Sequence, residues 1–140
     1  MYARKLLVGA ATAAFVGVTS LRAVAAAAPR SERVVAVVVD ASRPLAGFAG
    51  AVAPALRAGA TLVVNPSPKA PAAIFALCEL ASRSGLPPGV LNLLQGDTAA
   101  IEGLCAAGID RLVYRGNAAL GVAIGAIADA AGTPYEMGQG

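Results

Sequence analysis

The sequence predicts an α/β fold in which a parallel β-sheet of about five strands forms the middle of three layers, with helices on both faces. Short apolar, β-branched runs alternate with helical segments from residue 33 to near the end of the chain. The first run, VVAVVV at Val34–Val39, is apolar at every position, which is typical of a strand covered on both faces. Because a helix precedes each later strand, the strands are predicted to be parallel and joined by right-handed crossovers.

Glycines, prolines and changes in apolar periodicity set the predicted element boundaries. The first helix, at 46–57, ends before Gly59, because glycine readily takes the left-handed backbone that closes many helices. Gly85 ends the second helix in the same way, and the following prolines stiffen the turn before the third strand. In chain order, the elements after the first helix are a strand at 61–64, a helix at 71–84, a strand at 90–94, a helix at 98–107, a strand at 111–114, a helix at 117–131 and an extended segment at 134–136.

Residues 1–31 differ in composition from residues 32–140, and the two segments are predicted to be separate units. The first segment has four basic residues, no acidic residue and an uncharged stretch at 6–21. Three interpretations fit: a secretory or mitochondrial targeting peptide, a membrane-embedded helix, or an Ala-rich helix packed on the domain. If residues 1–31 are not a targeting peptide, a cytoplasmic location is expected.

Composition argues against several classes of function. The chain has no histidine, so acid–base chemistry near neutral pH would depend on carboxylates, thiols or a cofactor. The formal net charge of +3 comes from the first segment, and from Glu32 onward there are seven basic and eight acidic residues. No basic stripe forms, so we expect no nucleic-acid partner. The spacing of Cys78 and Cys105 predicts neither a disulfide framework nor a metal site, and both are expected to be core thiols.

Ligands of such sheets bind beyond the carboxyl ends of the strands, which here are followed by residues 40–44, 65–68, 96–97, 115–117 and 136–140. The clearest local pattern among them is YRGNAALG, residues 114–121. Gly116 would allow a close turn, Asn117 would cap the next helix, and Gly121 would let that helix approach the sheet. A helix start of this kind can hold a pyrophosphate, but a cap and a packing glycine without a ligand explain the same residues.

Four segments, read together, resemble the coenzyme-binding half of the aldehyde dehydrogenase superfamily. They are FAGAVAPALRAGATLVVNPSPKAP, SGLPPGVLNLLQGD, IDRLVYRGNAALG and PYEMGQG, and the resemblance extends from residue 33 to residue 140. It implies a three-layer, Rossmann-like domain that binds NAD or NADP. At the carboxyl ends of the strands, it implies that Ser42, Asn65, Arg115, Gly116, Asn117 and Gly121 lie at the coenzyme and reaction site.

This sequence departs from the family pattern at several of these positions. The family usually has lysine and glutamate at Asn65 and Pro68, where they hold the adenosine ribose, and an asparagine that stabilises the oxyanion at Ser42. Threonine and serine usually stand at Arg115 and Asn117. An arginine at position 115 would be able to pair with a phosphate or fill its place. These changes predict that NAD or NADP binding is weak or lost.

The resemblance places the family's general-base glutamate at Glu136, which we expect to be inactive in this chain. Gly138 matches a family glycine and Gln139 replaces the next one. The family's nucleophilic cysteine lies well beyond this glutamate, whereas four residues follow Glu136 here. The polypeptide is therefore expected not to oxidise aldehydes by itself.

Three hypotheses follow. The first is a non-catalytic, aldehyde-dehydrogenase-like domain that acts as a structural or interaction subunit. The second is a truncated part of an NAD(P)-dependent aldehyde dehydrogenase whose catalytic lobe comes from elsewhere. The third is a small module that binds a phosphate through Arg115 and the helix start at Asn117. Under each hypothesis the uncovered face of the sheet is expected to meet a protein partner or a second copy of the chain, and residues 1–31 could add membrane contact.

Overall fold

A computed structural model describes residues 34–138 and confirms the predicted α/β fold. The strands are β1 Val34–Val39, β2 Thr61–Pro66, β3 Leu91–Leu93, β4 Arg111–Arg115 and β5 Tyr135–Gly138. The helices are α1 Pro44–Arg57, α2 Ala72–Arg83, α3 Thr98–Ala106 and α4 Ala118–Ala130. The expectations for residues 1–31, for the boundary between the two predicted units and for Gln139 lie outside the described residues.

The predicted boundaries differ from the observed ones by a few residues. Helix α1 begins at Pro44, two residues before the predicted start, because the fixed φ of proline suits the first turn of a helix. The predicted extended segment at 134–136 is strand β5, which continues to Gly138 as a parallel partner of β4. Strand β3 spans only Leu91–Leu93 and is shorter than predicted, although the backbones of Val90 and Leu94 also form hydrogen bonds with β2.

The sheet is parallel throughout, with the strand order β3-β2-β1-β4-β5. From β1 the chain runs outward through β2 to β3, and it then returns to place β4 on the other side of β1. The direction of winding therefore reverses between β1 and β4. In open α/β sheets, a crevice for ligands forms at the carboxyl ends of the two strands that flank such a reversal.

Alternate residues of β1 contribute to two separate cores, one on each face of the sheet. Val35, Val37 and Val39 are buried against α1 and α2. Ala36 and Val38 are buried with residues of α3 and α4 on the other face. This is the side-chain alternation of a strand covered on both sides, and it makes β1 the centre of the three layers.

The cysteines lie in helices on opposite faces of the sheet, in line with the predicted core thiols. Cys105 is buried, Cys78 is half-buried, and both are free thiols. Burial raises the pKa of the Cys78 thiol to about 11, so it is protonated at neutral pH. Within residues 34–138, no helix is long and apolar enough to cross a membrane.

Candidate functional site

A cleft of about 350 Å³ opens at the carboxyl ends of β1 and β2, between α3 and α4. Apolar side chains make up most of its lining, together with several polar side chains. This combination is typical of small-molecule sites, in which apolar surface supplies most of the contact and a few polar groups orient the ligand. The apolar walls include Val38, Ile101, Leu120, Ile124 and Ile127, and the polar lining includes Asp40, Asn65, Ser67, Lys69 and Asp97.

Asp40 follows β1 directly and is 5% exposed. Its Oδ2 accepts hydrogen bonds from the Asn117 amide at 2.8 Å and from the Tyr114 hydroxyl at 3.1 Å. Its Oδ1 accepts hydrogen bonds from the amide of Ser42 at 2.8 Å and from the Ser42 hydroxyl. The carboxylate therefore joins the end of β1, the end of β4 and the start of α4.

These hydrogen bonds keep Asp40 ionised. Burial disfavours the charged carboxylate, but the donors from Ser42, Asn117 and Tyr114 outweigh that cost and hold the pKa of Asp40 below its ordinary value. Burial and the charge of Asp40 raise the pKa of Tyr114, whose hydroxyl therefore remains a donor. Asp40 is thus a fixed negative charge at neutral pH.

Gly116 and Gly121 allow close contacts around this carboxylate. A Cβ atom at position 116 would overlap Asp40 Cγ and the Tyr114 hydroxyl. At position 121 it would overlap Met137 Sδ and would lie 3.0 Å from the Tyr114 ring. The backbone of the β4–α4 turn therefore approaches the protein's own side chains, and α4 packs closely on the sheet.

Asn117 caps α4, as its position in the sequence predicts. Its backbone is extended, and its Oδ1 accepts a hydrogen bond from the Leu120 amide at 2.9 Å. The Asn117 amide itself donates to Asp40. The capping role is confirmed, while the coenzyme contact implied by the resemblance stays a prediction.

Asn65 lies at the end of β2 and is 2% exposed. Its Nδ2 donates to the carbonyl oxygens of Leu94 at 3.0 Å and Gly96 at 3.2 Å. The amide thereby ties the connection after β3 to the end of β2, which is a structural role that a lysine could not reproduce with the same geometry. Pro68 and Lys69 are exposed at the mouth of the cleft.

Arg115 and Glu136 lie together on the opposite face of the sheet, beside α1. Arg115 Nη2 is 2.6 Å from Glu136 Oε1, and Arg111 Nη1 is 2.6 Å from Glu136 Oε2. The three side chains line a second, smaller cleft of about 110 Å³. Because successive residues of a strand face opposite sides, Arg115 is directed away from the face on which Tyr114 meets Asp40.

The two arginines change the chemistry of Glu136. The hydrogen bond from Arg115 lowers the pKa of Glu136 most, and the charges of Arg115 and Arg111 lower it further against the opposing effect of burial. A carboxylate with a lowered pKa is a weaker general base. In this arrangement Glu136 joins β4 to β5 through ion pairs.

The structure divides the predicted site residues among three places. Ser42, Gly116, Asn117 and Gly121 surround the start of α4, Asn65 lies at the end of β2 in the cleft, and Arg115 and Glu136 form the ion-paired cluster beside α1. Asp40, Tyr114 and Arg111 were not among the predicted site residues. Asp40 could have been found, because an aspartate that directly follows a fully apolar strand lies at the edge where ligands bind. Within residues 34–138, no group of three or more potential ligands among histidine, cysteine, aspartate and glutamate could hold a metal ion.

Comparisons with known proteins agree with this fold. The Aldehyde dehydrogenase family model matches residues 33–140. The mitochondrial succinate-semialdehyde dehydrogenase of Arabidopsis thaliana is 36% identical over 90 residues, which are 63% of this chain and 17% of that protein. N-succinylglutamate 5-semialdehyde dehydrogenase 2 of Caulobacter vibrioides is 42% identical over 72 residues, which are 51% of this chain and 15% of that protein. The chain thus spans less than a fifth of the length of either curated relative.

Solved structures give the same result. An aldehyde dehydrogenase from Bartonella henselae superimposes with a TM-score of 0.71 at 28% identity, covering 79% of this chain and 24% of that one. Betaine aldehyde dehydrogenase from Staphylococcus aureus in complex with NAD+ has a TM-score of 0.68 at 27% identity, with coverages of 76% and 22%. The family match, which covers all of the described residues, and the shared parallel sheet show that this chain belongs to the aldehyde dehydrogenase family.

Proposed function

We propose that this chain is the coenzyme-binding part of an NAD(P)-dependent aldehyde dehydrogenase and that further polypeptide supplies the catalytic cysteine. The observation that carries the proposal is the cleft between α3 and α4, which lies at the carboxyl end of the sheet beside β1, one of the two strands that flank the reversal of winding. The relatives support this hypothesis better than a purely structural subunit, because they are named as dehydrogenases and one neighbour holds NAD+.

The residues of the cleft fit a dinucleotide in part. Val38, Ile101 and Ile124 offer an apolar wall of the kind that buries the flat surface of a nucleotide base. Ser67 and Lys69 bring a hydroxyl and a positive charge to the mouth, where sugar and phosphate groups would lie. When bound, NAD(P)+ supplies the hydride acceptor for aldehyde oxidation. Asp40 places a negative charge at the same edge and fits a phosphate poorly.

Exposed apolar surface supports the need for a further lobe. Strand β5 is at the edge of the sheet, and Met137 on that strand is 47% exposed. Val122, which follows Gly121 at the start of α4, is 67% exposed. An open strand edge beside exposed apolar side chains is a surface that proteins usually cover. A catalytic lobe packed here would lie next to both clefts.

The proposal is tested by calorimetric titration of the purified chain with NAD+ and NADP+. We expect saturable binding below millimolar concentration, and its absence with both nucleotides would contradict the proposal. Ala123→Phe places a ring in the cleft and should abolish binding. Ala126→Phe is the matched control, because Ala126 is exposed on the same helix and does not line the cleft; it should bind as the wild type does.

A further inference from the structure

The carboxylate of Asp40 occupies the place where the β4–α4 turn would receive an anion. The free amides and the aligned dipoles of a helix start attract negative charge, equivalent to about half a positive elementary charge. Here the Asn117 amide donates to Asp40 Oδ2 at 2.8 Å. One of the donors that a phosphate group would use is therefore already bound by the protein.

The space in front of Gly116 is filled as well. A glycine in such a turn lets a phosphate approach the backbone because no Cβ intervenes. In this chain Asp40 Cγ and the Tyr114 hydroxyl lie where that Cβ would be. The opening that the glycine creates is thus occupied by an internal carboxylate and the hydroxyl bound to it.

Charge adds to the steric competition. Asp40 is ionised, is 5% exposed and lines the cleft that a ligand would enter. Asp97 contributes a second carboxylate to the cleft, and Lys69 is the only basic side chain that lines it among the described residues. A pyrophosphate entering the cleft would therefore meet like charge at the start of α4.

We infer that Asp40 acts as an internal anion at the N-terminus of α4 and sets the affinity of the cleft for phosphate-bearing coenzyme. The inference rests on the proposed function, since it concerns the same cleft. Removing the negative charge should relieve the repulsion between Asp40 and the pyrophosphate and strengthen coenzyme binding. A purely structural tie between β1 and α4 would instead lose stability without any gain in affinity.

The test compares Asp40→Asn with the wild type in calorimetric titrations with NAD+ and with inorganic pyrophosphate. Asparagine has nearly the same shape and keeps one oxygen acceptor, but it removes the charge. We expect both ligands to bind about tenfold more tightly to the variant, because like charges at a buried site oppose association strongly. Adenosine, which has no phosphate, should bind the two proteins equally.

Two control variants separate this effect from others. Asp97→Asn removes the same charge from the same cleft, at the start of α3, and should change affinity much less. If Asp97→Asn increased coenzyme affinity as much as Asp40→Asn does, the inference would be overturned, because the net charge of the cleft and not the position of Asp40 would set the affinity. Tyr114→Phe removes one hydrogen bond to Asp40 but keeps its charge, so it should not strengthen coenzyme binding.

The outcomes distinguish the inference from the proposed function. If the wild type binds NAD+ and Asp40→Asn binds it no better, the inference fails and the function stands. If only the variant binds, the inference stands and the function fails for the natural chain. If neither protein binds, both fail.

A second measurement on the wild type applies even if Asp40→Asn does not fold. The amide proton of Asn117, followed by NMR, should stay at its position when pyrophosphate is added to millimolar concentration, because the carboxylate retains it. A saturable shift of that resonance at lower pyrophosphate concentration would overturn the inference.

Discussion

Two carboxylates on opposite faces of the sheet, Asp40 and Glu136, have different environments. Asp40 is 5% exposed and accepts hydrogen bonds from neutral donors, whereas the Glu136 side chain is 44% exposed and pairs with two guanidinium groups. The pKa of each is lowered. Although both groups are ionised, they are expected to contribute differently to the free energy of unfolding. A buried partner group that loses its carboxylate has no water to replace it, whereas an exposed one does.

The two carboxylates contact successive residues of strand β4. Tyr114 faces α4 and donates to Asp40, while the next residue, Arg115, faces α1 and pairs with Glu136. The side-chain alternation of one strand thus serves a buried hydrogen-bonded centre on one face and a solvated ion-pair cluster on the other. The following predictions test how far the two centres differ.

The largest effect is expected for Asp40→Ala. This change leaves the buried Tyr114 hydroxyl and the part-buried Asn117 amide without their acceptor. We expect the free energy of unfolding, measured by urea denaturation, to fall by about 2–3 kcal/mol. Asp129→Ala, at an exposed position of α4, should change it by less than about 0.5 kcal/mol. If Asp40→Ala and Asp129→Ala lost the same free energy of unfolding, burial would not explain the contribution of Asp40.

The stabilisation by Asp40 should also depend on pH. The folded-state pKa of Asp40 lies below its ordinary value of 3.8, so its contribution to stability is fully present above pH 3.8 and is lost as the pH falls through the folded-state value. The stability difference between the wild type and Asp40→Ala should therefore be constant near neutral pH and shrink in strong acid. If this difference in the free energy of unfolding increased on acidification, Asp40 would not be ionised in the folded protein as stated.

An intermediate effect is expected for Gly116→Ala. The added Cβ would overlap Asp40 and Tyr114, and the buried carboxylate cannot move away without losing its donors. We expect a loss of about 1–3 kcal/mol in thermal or urea unfolding. Gly103→Ala in α3 is the matched control, because its Cβ would meet open space and alanine favours the helix; it should be neutral or stabilising.

The smallest effect is expected for Glu136→Gln. It removes the charge of a side chain that is 44% exposed, and the remaining amide oxygen can still accept a hydrogen bond from an arginine. The free energy of unfolding should fall by about 1 kcal/mol or less, and the loss should shrink further in 1 M salt as screening increases. The Asp40→Ala difference should be nearly independent of salt. A Glu136→Gln loss as large as that of Asp40→Ala would show that the ion-paired cluster is effectively buried.

Much of the fold could be predicted because its signals are local. The apolar run of β1, the glycines after the helices and the alternation of elements all act within a few residues of one another. They indicated a parallel sheet of five strands, and the cap at Asn117 followed from the residue type that starts α4. Element ends were less well predicted, as β3 and β5 show, because pairing with a neighbouring strand decides them.

The partners of the site residues could not be predicted in the same way. Asn65 matches a position that holds the coenzyme in the family, but its amide binds carbonyl groups about thirty residues further along the chain. Arg115 looked suited to a phosphate, yet its guanidinium pairs with Glu136. These choices depend on which side chains the folded chain brings within hydrogen-bonding distance.

The alternation of strands and helices along the chain and the family could both be inferred from the sequence, since both depend on residue patterns along the chain. The tertiary structure alone decided that the carboxylate of Asp40 meets an amide 77 positions away. It also decided that Glu136 lies between two arginines. The physical reason is that hydrogen bonds and ion pairs form over about 3 Å in space, a distance that sequence separation does not encode.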